Sequence, residues 1–349
     1  MNKLRVGFLL DDLSPSFQDN ELIEFVEKNE NFDNPILITG YNKNLNNSLI
    51  MRFFAKVKQP PTKFFNILLK SALLKVISHI ELKKTRKRFP KFKINHQIKK
   101  LTNFKIANVE GLWSKSGLFL DMTSEDLSLI KSYNLDCIIR CGSGILRGEI
   151  LNITKFGVIS FHHGDNRVNR GGPSGFWEVL NNDPSSGFVI QKLNQELDGG
   201  EVLFRGNLMT SDLWFVNNAQ LLDKSNIFMM KLLLELAKNN ILPAPEGVRL
   251  HGNRLYKLDL SFYLIKYLLK VITPKIFNSL VNKLISPTIT RWSVAYSYHN
   301  NFSKSLWRYK EIKNPKGRFL ADPFVIESAG ETFIFVEDFF YKDNKGRIS

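Results

Sequence analysis

Cysteine is nearly absent from this 349-residue chain, which contains only Cys137 and Cys141. The two lie four residues apart in an apolar run, and strand residues an even number apart share a face. Such a pair is typical of reduced core thiols rather than of a disulfide framework or a zinc site. We therefore expect a reducing compartment, the cytoplasm.

Long apolar runs are also missing. The run that follows the basic amino terminus, residues 6–10, is too short for the core of a signal peptide. The longest apolar stretches, residues 64–80 and 262–285, are interrupted by lysines. Neither reaches the roughly 20 clean residues that a membrane span needs, so the sequence predicts a soluble or membrane-peripheral chain without a transmembrane segment.

Acidic residues are scarce in one segment, residues 51–105, which holds 16 basic residues and a single acid, Glu81. The rest of the chain carries 33 basic and 32 acidic residues, so nearly all of the net charge of +16 belongs to this segment. This distribution excludes a uniformly basic, histone-like coat. Apolar residues at helical spacing predict an amphipathic helix in its first half, whereas residues 83–105 form a charge run with little periodicity.

Three interpretations of this basic insertion remain open. It is a solvated insertion, an anionic-membrane-binding element, or a nucleic-acid-binding element. An apolar stripe beside a lysine-rich tail favours a membrane surface, and two basic helices predicted within residues 260–285 fit the same interpretation. Binding to tRNA requires only a cluster of cations that neutralises phosphates.

Strand and helix patterns alternate along the first 240 residues, which predicts an α/β fold with a sheet of mixed direction. The strand patterns cover residues 4–10, 35–39, 106–109, 135–140, 157–162, 187–193 and 201–207. The helical patterns cover residues 20–28, 124–134, 147–153, 175–181 and 218–239.

Three parts are expected along the chain. Residues 1–240 form the α/β domain, which contains the basic insertion. Residues 241–300 form a linker with two basic amphipathic helices, split by Pro274. Residues 301–349 are rich in aromatic strands and turns, and because two strands cannot bury their face alone, they predict the start of a truncated all-β domain.

The residues best suited to chemistry stand near the end of the strand at residues 157–162. Ser160 and His162 would point to one face of this strand, and His163 to the other. Ligands bind outside the carboxyl ends of strands in such sheets. Asp198 lies in a later turn with two glycines, and a carboxylate that faces a histidine orients it and raises its basicity.

Two other interpretations are disfavoured by geometry. His162, His163 and Asp165 could form a metal cluster, but adjacent histidines of a strand point in opposite directions. Gly142 and Gly144 imitate a dinucleotide-binding fingerprint, but the third glycine is missing at the required spacing.

Five motifs follow one another between residues 144 and 200. They are Gly144-Ile145-Leu146, Ser160-Phe161-His162, Arg170-Gly171-Gly172-Pro173, Gly187-Phe188-Val189-Ile190-Gln191 and Glu196-Leu197-Asp198-Gly199-Gly200. Their order and spacing resemble the folate-dependent formyltransferases, a family that includes the glycinamide ribonucleotide, methionyl-tRNA and amino-sugar-nucleotide enzymes. The resemblance covers roughly residues 100–240. It implies a Rossmann-like domain that uses 10-formyltetrahydrofolate as formyl donor and an amine as acceptor.

The resemblance also implies a role for each matching residue. His162 takes the position of the catalytic histidine, which stabilises the oxyanion and assists proton transfer. Asp198 takes that of the aspartate that orients the histidine and helps to accept the amine proton. Ser160 replaces an asparagine that donates to the formyl oxygen. The donor-binding loop is expected to comprise Gly142, Ser143, Gly144, Ile145, Leu146 and Arg147, and the acceptor site Asn166, Arg170, Gly171 and Gln191.

Several positions depart from the family pattern. Ser160 has a shorter, rotatable donor, and losing one preorganised oxyanion donor costs about 10² to 10³ in rate. A binding module with impaired chemistry is therefore an alternative to an enzyme. Gln191 stands where several members have a histidine. Near residues 11–16 the Gly-Ser loop that holds phosphate in the glycinamide ribonucleotide enzyme is missing, which argues against that substrate.

The last part of the chain carries a separate pattern. Phe319-Leu320-Ala321-Asp322-Pro323-Phe324, Phe335-Val336-Glu337-Asp338 and Lys345-Gly346-Arg347-Ile348 resemble the first blade of the propeller-like domain in glucosamine inositolphosphorylceramide transferase-type proteins. This resemblance implies an amine acceptor on an amino sugar or sugar conjugate. Methionyl-tRNA is the alternative acceptor, although no segment resembles that enzyme's carboxyl-terminal barrel.

Overall fold

The fold is described from a computed structural model of the chain. Its central feature is a seven-stranded sheet, whose inner strands are nearly continuous apolar runs. The structure describes residues 3–41, 61–93, 104–168, 172–195, 200–247, 261–284, 291–298 and 309–349. The chain divides into two compact units, Met1–Val271 and Ile272–Ser349.

The large sheet of the first unit has the strand order β10-β9-β8-β6-β1-β2-β3. Its five strands from β8 to β3 are parallel, and β9 and β10 extend it in antiparallel fashion. This order resembles the doubly wound arrangement, and the predicted α/β fold is confirmed. The strands are β1 (Val6–Leu10), β2 (Ile36–Thr39), β3 (Lys105–Asn108), β6 (Cys137–Cys141), β8 (Val158–His162), β9 (Ser185–Lys192) and β10 (Glu201–Met209).

Helices cover both faces of this sheet. The helices of the first unit are α1 (Phe17–Lys28), α2 (Pro61–Arg88), α3 (Ser124–Ser132), α4 (Phe176–Asn181), α5 (Trp214–Asn239) and α6 (Ser261–Tyr267). One core lies between the sheet and helices α1 and α5, and it includes both cysteines, as expected from their shared face. The opposite core includes Ile130 of α3 and Leu151. Capping boxes at Ser16 and Thr123 start α1 and α3.

Residues 147–153 do not form the predicted helix. Instead, β7 (Ile145–Leu146) pairs with β5 (Phe119–Asp121), which also pairs with β4 (Leu112–Trp113), and a 3-10 turn follows at Glu149–Asn152. Gly148 has a φ of +83°, a left-handed conformation that interrupts a helix. The prediction was wrong because Gly148 in this conformation breaks the helical pattern, and only the short 3-10 turn forms after it.

Helix α2 extends to Arg88 and so includes part of the predicted charge run. The single acid of the basic segment, Glu81, fixes this helix to the rest of the domain. Glu81 is fully buried, where its two carboxylate oxygens accept hydrogen bonds from the Tyr267 hydroxyl (2.6 Å) and from the backbone N–H of Phe215 (2.8 Å). Because Phe215 lies in the first turn of α5, the basic insertion supplies the acceptor for a helix terminus of the α/β domain.

Replacing Glu81 with alanine should therefore destabilise the first unit. The change leaves a buried hydroxyl and a buried helix-terminal N–H without their acceptor, so we expect the free energy of unfolding in urea to fall by about 3 kcal/mol. The exposed Glu235 of α5 provides a control, since its replacement by alanine should change stability by less than about 0.5 kcal/mol. Equal stability of the Glu81→Ala and Glu235→Ala proteins would contradict this role.

The second unit contains α7 (Thr273–Leu284) and two small antiparallel sheets. Pro274 lies in the first turn of α7, where its missing N–H costs nothing. The strands are β11 (Val294–Tyr296) with β12 (Lys310–Ile312), and β13 (Arg318–Ser328) with β14 (Glu331–Phe340) and β15 (Lys345–Ile348). The predicted β-strand content of residues 301–349 is confirmed for the described residues 309–349, and the propeller-like architecture stays a prediction.

Across the described ranges, no helix combines the length and apolar character that crossing a bilayer requires.

Candidate functional site

The predicted catalytic strand, β8, lies between β6 and β9 in the large sheet. Ser160 pairs in register with Arg140 of β6 and with Gln191 of β9, so these three residues form a row on one face of the sheet. His162 follows two residues later on the same face, and both Ser160 and His162 are half-buried. Their predicted shared orientation at the carboxyl end of β8 is therefore confirmed.

The Ser160 hydroxyl donates to the neighbouring carbonyl oxygen of Phe161 at 3.1 Å. A serine hydroxyl rotates freely about one bond, so this donor can be redirected towards a ligand. In the conformation of the structure, it serves its own backbone.

His163 lies on the opposite face, as predicted. Its ring stacks on Phe161 with centroids 5.4 Å apart, and its Nε2 atom lies 3.1 Å from the Ser225 Oγ and 3.3 Å from the Gln18 Nε2. Burial, with a smaller effect of the neighbouring His162, lowers the pKa of His163 to about 3. The imidazole is therefore neutral at physiological pH and lies against side chains of α1 and α5.

This buried histidine predicts a loss of stability in mild acid. The unfolded chain takes up a proton near the ordinary pKa of 6.5, whereas the folded chain does so only near 3. The contribution of His163 is thus present above pH 6.5 and is lost as the pH falls, by about 2 kcal/mol between pH 7 and pH 5. In urea unfolding at both pH values, the free energy of unfolding of His163→Gln should change between pH 7 and pH 5 by about 2 kcal/mol less than that of the wild type. The exposed His79→Gln serves as control, and an unchanged slope in His163→Gln would refute the assignment.

A buried polar cluster holds the predicted donor-binding loop, residues 142–147. Both carboxylate oxygens of Asp11 accept from the backbone N–H of Ser143, at 2.8 and 2.9 Å, and the Tyr41 hydroxyl donates to Asp11 at 2.8 Å. Arg140 donates to the Tyr41 hydroxyl at 2.6 Å and to the carbonyl oxygen of Ser143. The loop backbone is therefore fixed at both its N–H and its carbonyl group.

The two glycines of this loop have specific packing reasons. A Cβ on Gly142 would lie 2.4 to 2.5 Å from polar atoms of Arg140, Tyr41 and Asp11, so only glycine lets the cluster close. Gly144 has a φ of +80°, and its Cβ would lie 2.7 Å from the Trp113 ring. These contacts account for both glycines without a dinucleotide.

The remaining loop residues divide between core and surface. Leu146 is buried in the core beneath the sheet, and Ile145 is half-buried in β7. The guanidinium carbon of Arg147 lies 3.3 Å from the centroid of the Phe119 ring. Ser143 and Gly144 are the exposed part of the loop, so its backbone is the portion open to a ligand.

Asn166, a predicted acceptor-binding residue, lies in a buried ionic cluster instead of an open surface. Its side-chain oxygen accepts from Arg205 at 3.0 Å, and Arg205 also binds Asp165 at 2.7 Å and Glu246 at 3.0 Å. Arg167 binds Asp165 as well, at 2.8 Å. Despite burial, hydrogen bonds and the charges of the two arginines hold the pKa of Asp165 below its ordinary value. Asp165 is thus engaged by arginines rather than by a metal, and this cluster orients the chain that follows His163.

Gln191 has the clearest signature of a ligand-facing group. It is 5% exposed, yet its side-chain oxygen finds no hydrogen-bond donor among the residues that the structure describes. A buried acceptor without a donor is costly, which makes it a candidate to receive an N–H from a substrate. Asp198, Arg170 and Gly171 lie outside the described residues, so their predicted roles stay predictions.

The sequence interpretation missed the cluster formed by Asp11, Tyr41 and Arg140. One signal was available, because Arg140 interrupts the apolar run of β6 and a charged residue in a central strand needs partners. The identity of those partners depends on the tertiary fold, since Tyr41 lies 99 residues before Arg140 in the chain and Asp11 lies a further 30 residues before Tyr41.

Comparison with known proteins shows sequence similarity to a formyltransferase. No family model matches the chain. The methionyl-tRNA formyltransferase of Clostridium beijerinckii is 25% identical over 201 residues, which cover 54% of this chain and 59% of that protein. The chain is thus matched to somewhat more than half of the length of this curated relative.

Solved formyltransferase structures resemble the chain loosely. The methionyl-tRNA formyltransferase of Clostridium thermocellum covers 97% of this chain and 99% of its own, at 13% identity and a TM-score of 0.38. The N-formyltransferase of Helicobacter canadensis, in complex with folinic acid and dTDP-3-aminofucose, covers 96% and 100%, at 11% identity and a TM-score of 0.43. Overlays with TM-scores this low show no more than a loose likeness of fold.

Proposed function

We propose that the first unit transfers a formyl group from 10-formyltetrahydrofolate to a primary amine. The observation that carries this proposal is the juxtaposition of Ser160, His162 and Gln191 on one sheet face at the end of β8. The rigid loop that begins at Gly142 follows the adjacent strand β6. Sequence similarity to a methionyl-tRNA formyltransferase supports the same chemistry.

In the proposed reaction, each site residue has its own role. An amine must be neutral to attack the formyl carbon. The Gln191 side-chain oxygen, which has no donor among the described residues, would accept one of its N–H groups. His162 and Ser160 would stabilise the negative charge that develops on the formyl oxygen as the new C–N bond forms. Asp198, together with His162, would accept the amine proton and return a proton to the leaving nitrogen of tetrahydrofolate as the old C–N bond breaks.

An amino sugar or sugar conjugate is the acceptor that we propose. The α/β fold alone does not select an acceptor. Support for a sugar comes instead from the resemblance of the second unit's strands to a carbohydrate-active domain. The sequence similarity favours methionyl-tRNA as the second candidate.

Direct detection of product tests this proposal. The protein is incubated with 10-formyltetrahydrofolate and, in separate reactions, with nucleotide-linked amino sugars or methionyl-tRNA, and products are identified by mass spectrometry. We expect a formamide on an amino sugar. If formylated methionyl-tRNA is the only product, methionyl-tRNA replaces the amino sugar as the acceptor. If no amine gives a formylated product, the proposal that the chain is an enzyme is refuted.

A catalytically impaired binding module is the alternative that one observation favours. The Ser160 hydroxyl is directed to a backbone carbonyl and stands where the resemblance implies an asparagine donor. Such a module would bind a stable folate analogue such as 5-formyltetrahydrofolate. It would, however, release no tetrahydrofolate from 10-formyltetrahydrofolate in the presence of amines.

Asp11 provides a prediction about donor binding. Asp11→Ala removes the acceptor for the Ser143 N–H, so the loop loses a charge-assisted hydrogen bond, and we expect about a tenfold rise in KM for the formyl donor. The kcat at saturating donor should change much less, since Asp11 does not touch the reacting atoms. The exposed Asp12→Ala is the matched control. A fall in kcat without a rise in KM would contradict this positioning role.

A further inference from the structure

Helix α2 exposes to solvent part of the apolar stripe that its sequence would be expected to bury. An amphipathic surface helix normally buries its apolar stripe. In α2 the fully buried positions are Ile77, Glu81 and Thr85. The apolar residues on the other side are exposed: Phe65 (66%), Leu68, Val76 and Ile80.

The neighbouring helix α6 adds further exposed apolar side chains. It is bound to α2 at both ends, where Ser261 donates to Asn66 and Tyr267 donates to Glu81. Its buried residues, Ser261, Leu264 and Tyr267, alternate with exposed ones. Phe262 is 62% exposed, and Ile265 and the following Leu269 are exposed as well.

Cations continue the outward face of α2 towards its carboxyl end. At helical spacing, this face carries the cations Lys75, Lys83, Arg86 and Lys87, which line one shallow surface pocket together with His79. Glu81, the only acid of α2, is buried on the opposite side. The outward face therefore combines an apolar half with a cationic half and carries no negative charge.

We propose that this outward face of α2 docks onto the surface of an anionic lipid bilayer, with α6 beside it. Phe65 and Leu68 enter the boundary between headgroups and acyl chains, while Lys83, Arg86 and Lys87 bind lipid phosphates. Nucleic acid is the less suitable partner, because phosphate neutralisation makes no use of exposed Leu68 or Val76. The inference does not depend on the proposed formyl transfer.

Co-sedimentation with vesicles tests the inference on the full chain. Vesicles of two parts phosphatidylcholine to one part phosphatidylglycerol should bind the protein, and vesicles of phosphatidylcholine alone should bind it far less. The double substitution Lys83→Gln with Lys87→Gln should weaken binding roughly thirtyfold, given the usual contribution of one cation near an anionic surface. Phe65→Ser with Leu68→Ser should weaken it by at least about tenfold.

A matched control lies at the far end of α5. Lys238 and Ile241 are exposed there, and Lys238→Gln with Ile241→Ser removes one cation and one apolar side chain without touching α2 or α6. This variant should bind vesicles as the wild type does. Equal loss in the control, equal binding to neutral vesicles, or binding to tRNA without binding to vesicles would each overturn the inference. Because all substituted positions are exposed, circular dichroism should show an unchanged fold.

Discussion

Replacing His162 with alanine is expected to lower kcat for formyl transfer by about 10³ to 10⁴, because the proposed mechanism gives this residue a part in both proton transfer and oxyanion stabilisation. The half-buried position at the end of β8 allows this substitution without opening the core. Single-turnover transfer from 10-formyltetrahydrofolate to an amino sugar measures the effect.

Two further variants make the loss specific. His79→Ala, at an exposed position of α2, should transfer at the wild-type rate. Asp198→Ala should show a loss of similar size to His162→Ala, and the double variant should be little worse than either, since residues that act as a unit are not additive. Wild-type turnover in His162→Ala would eliminate the mechanism.

Two substitutions of Ser160 should change kcat in opposite directions. Ser160→Asn introduces a longer donor at the position where the resemblance implies an asparagine, and we expect kcat to rise by a factor approaching 10², the typical value of one oxyanion donor. Ser160→Ala removes the hydroxyl, which can rotate away from the Phe161 carbonyl to serve the reaction, and should lower kcat by roughly tenfold.

The measured quantity is kcat at saturating donor, with KM for the donor as an internal control. An oxyanion donor acts in the transition state, so KM should stay nearly constant in both variants. If neither variant changes kcat, Ser160 does not face the formyl oxygen, and the row that it forms with Arg140 and Gln191 has another purpose.

Local patterns predicted the strands well. Apolar runs with an even spacing of site residues identified β8 and placed Ser160 and His162 on one face, with His163 on the other. These predictions depend only on the two-residue period of a strand, which every strand obeys. The α/β sheet of mixed direction followed from the alternation of strands and helices.

Features that depend on distant partners could not be predicted. Helix α5 was expected to begin at Asn218, but it begins at Trp214, and Glu81 from an insertion more than 130 residues earlier accepts its N-terminal Phe215 N–H. The short strand β7 was missed because two residues carry no periodicity. Part of the apolar stripe of α2 is exposed, because the buried carboxylate of Glu81 helps to fix the helix to the domain.

Folate binding measured by calorimetry tests the central claim most directly. Titration of the full chain with 5-formyltetrahydrofolate should show one site per chain. The proposal assigns donor binding to the loop at residues 142–147 and the chemical step to His162, so Asp11→Ala should weaken this binding and His162→Ala should retain it. Absence of binding by the correctly folded wild-type protein would contradict both the enzyme and the binding module.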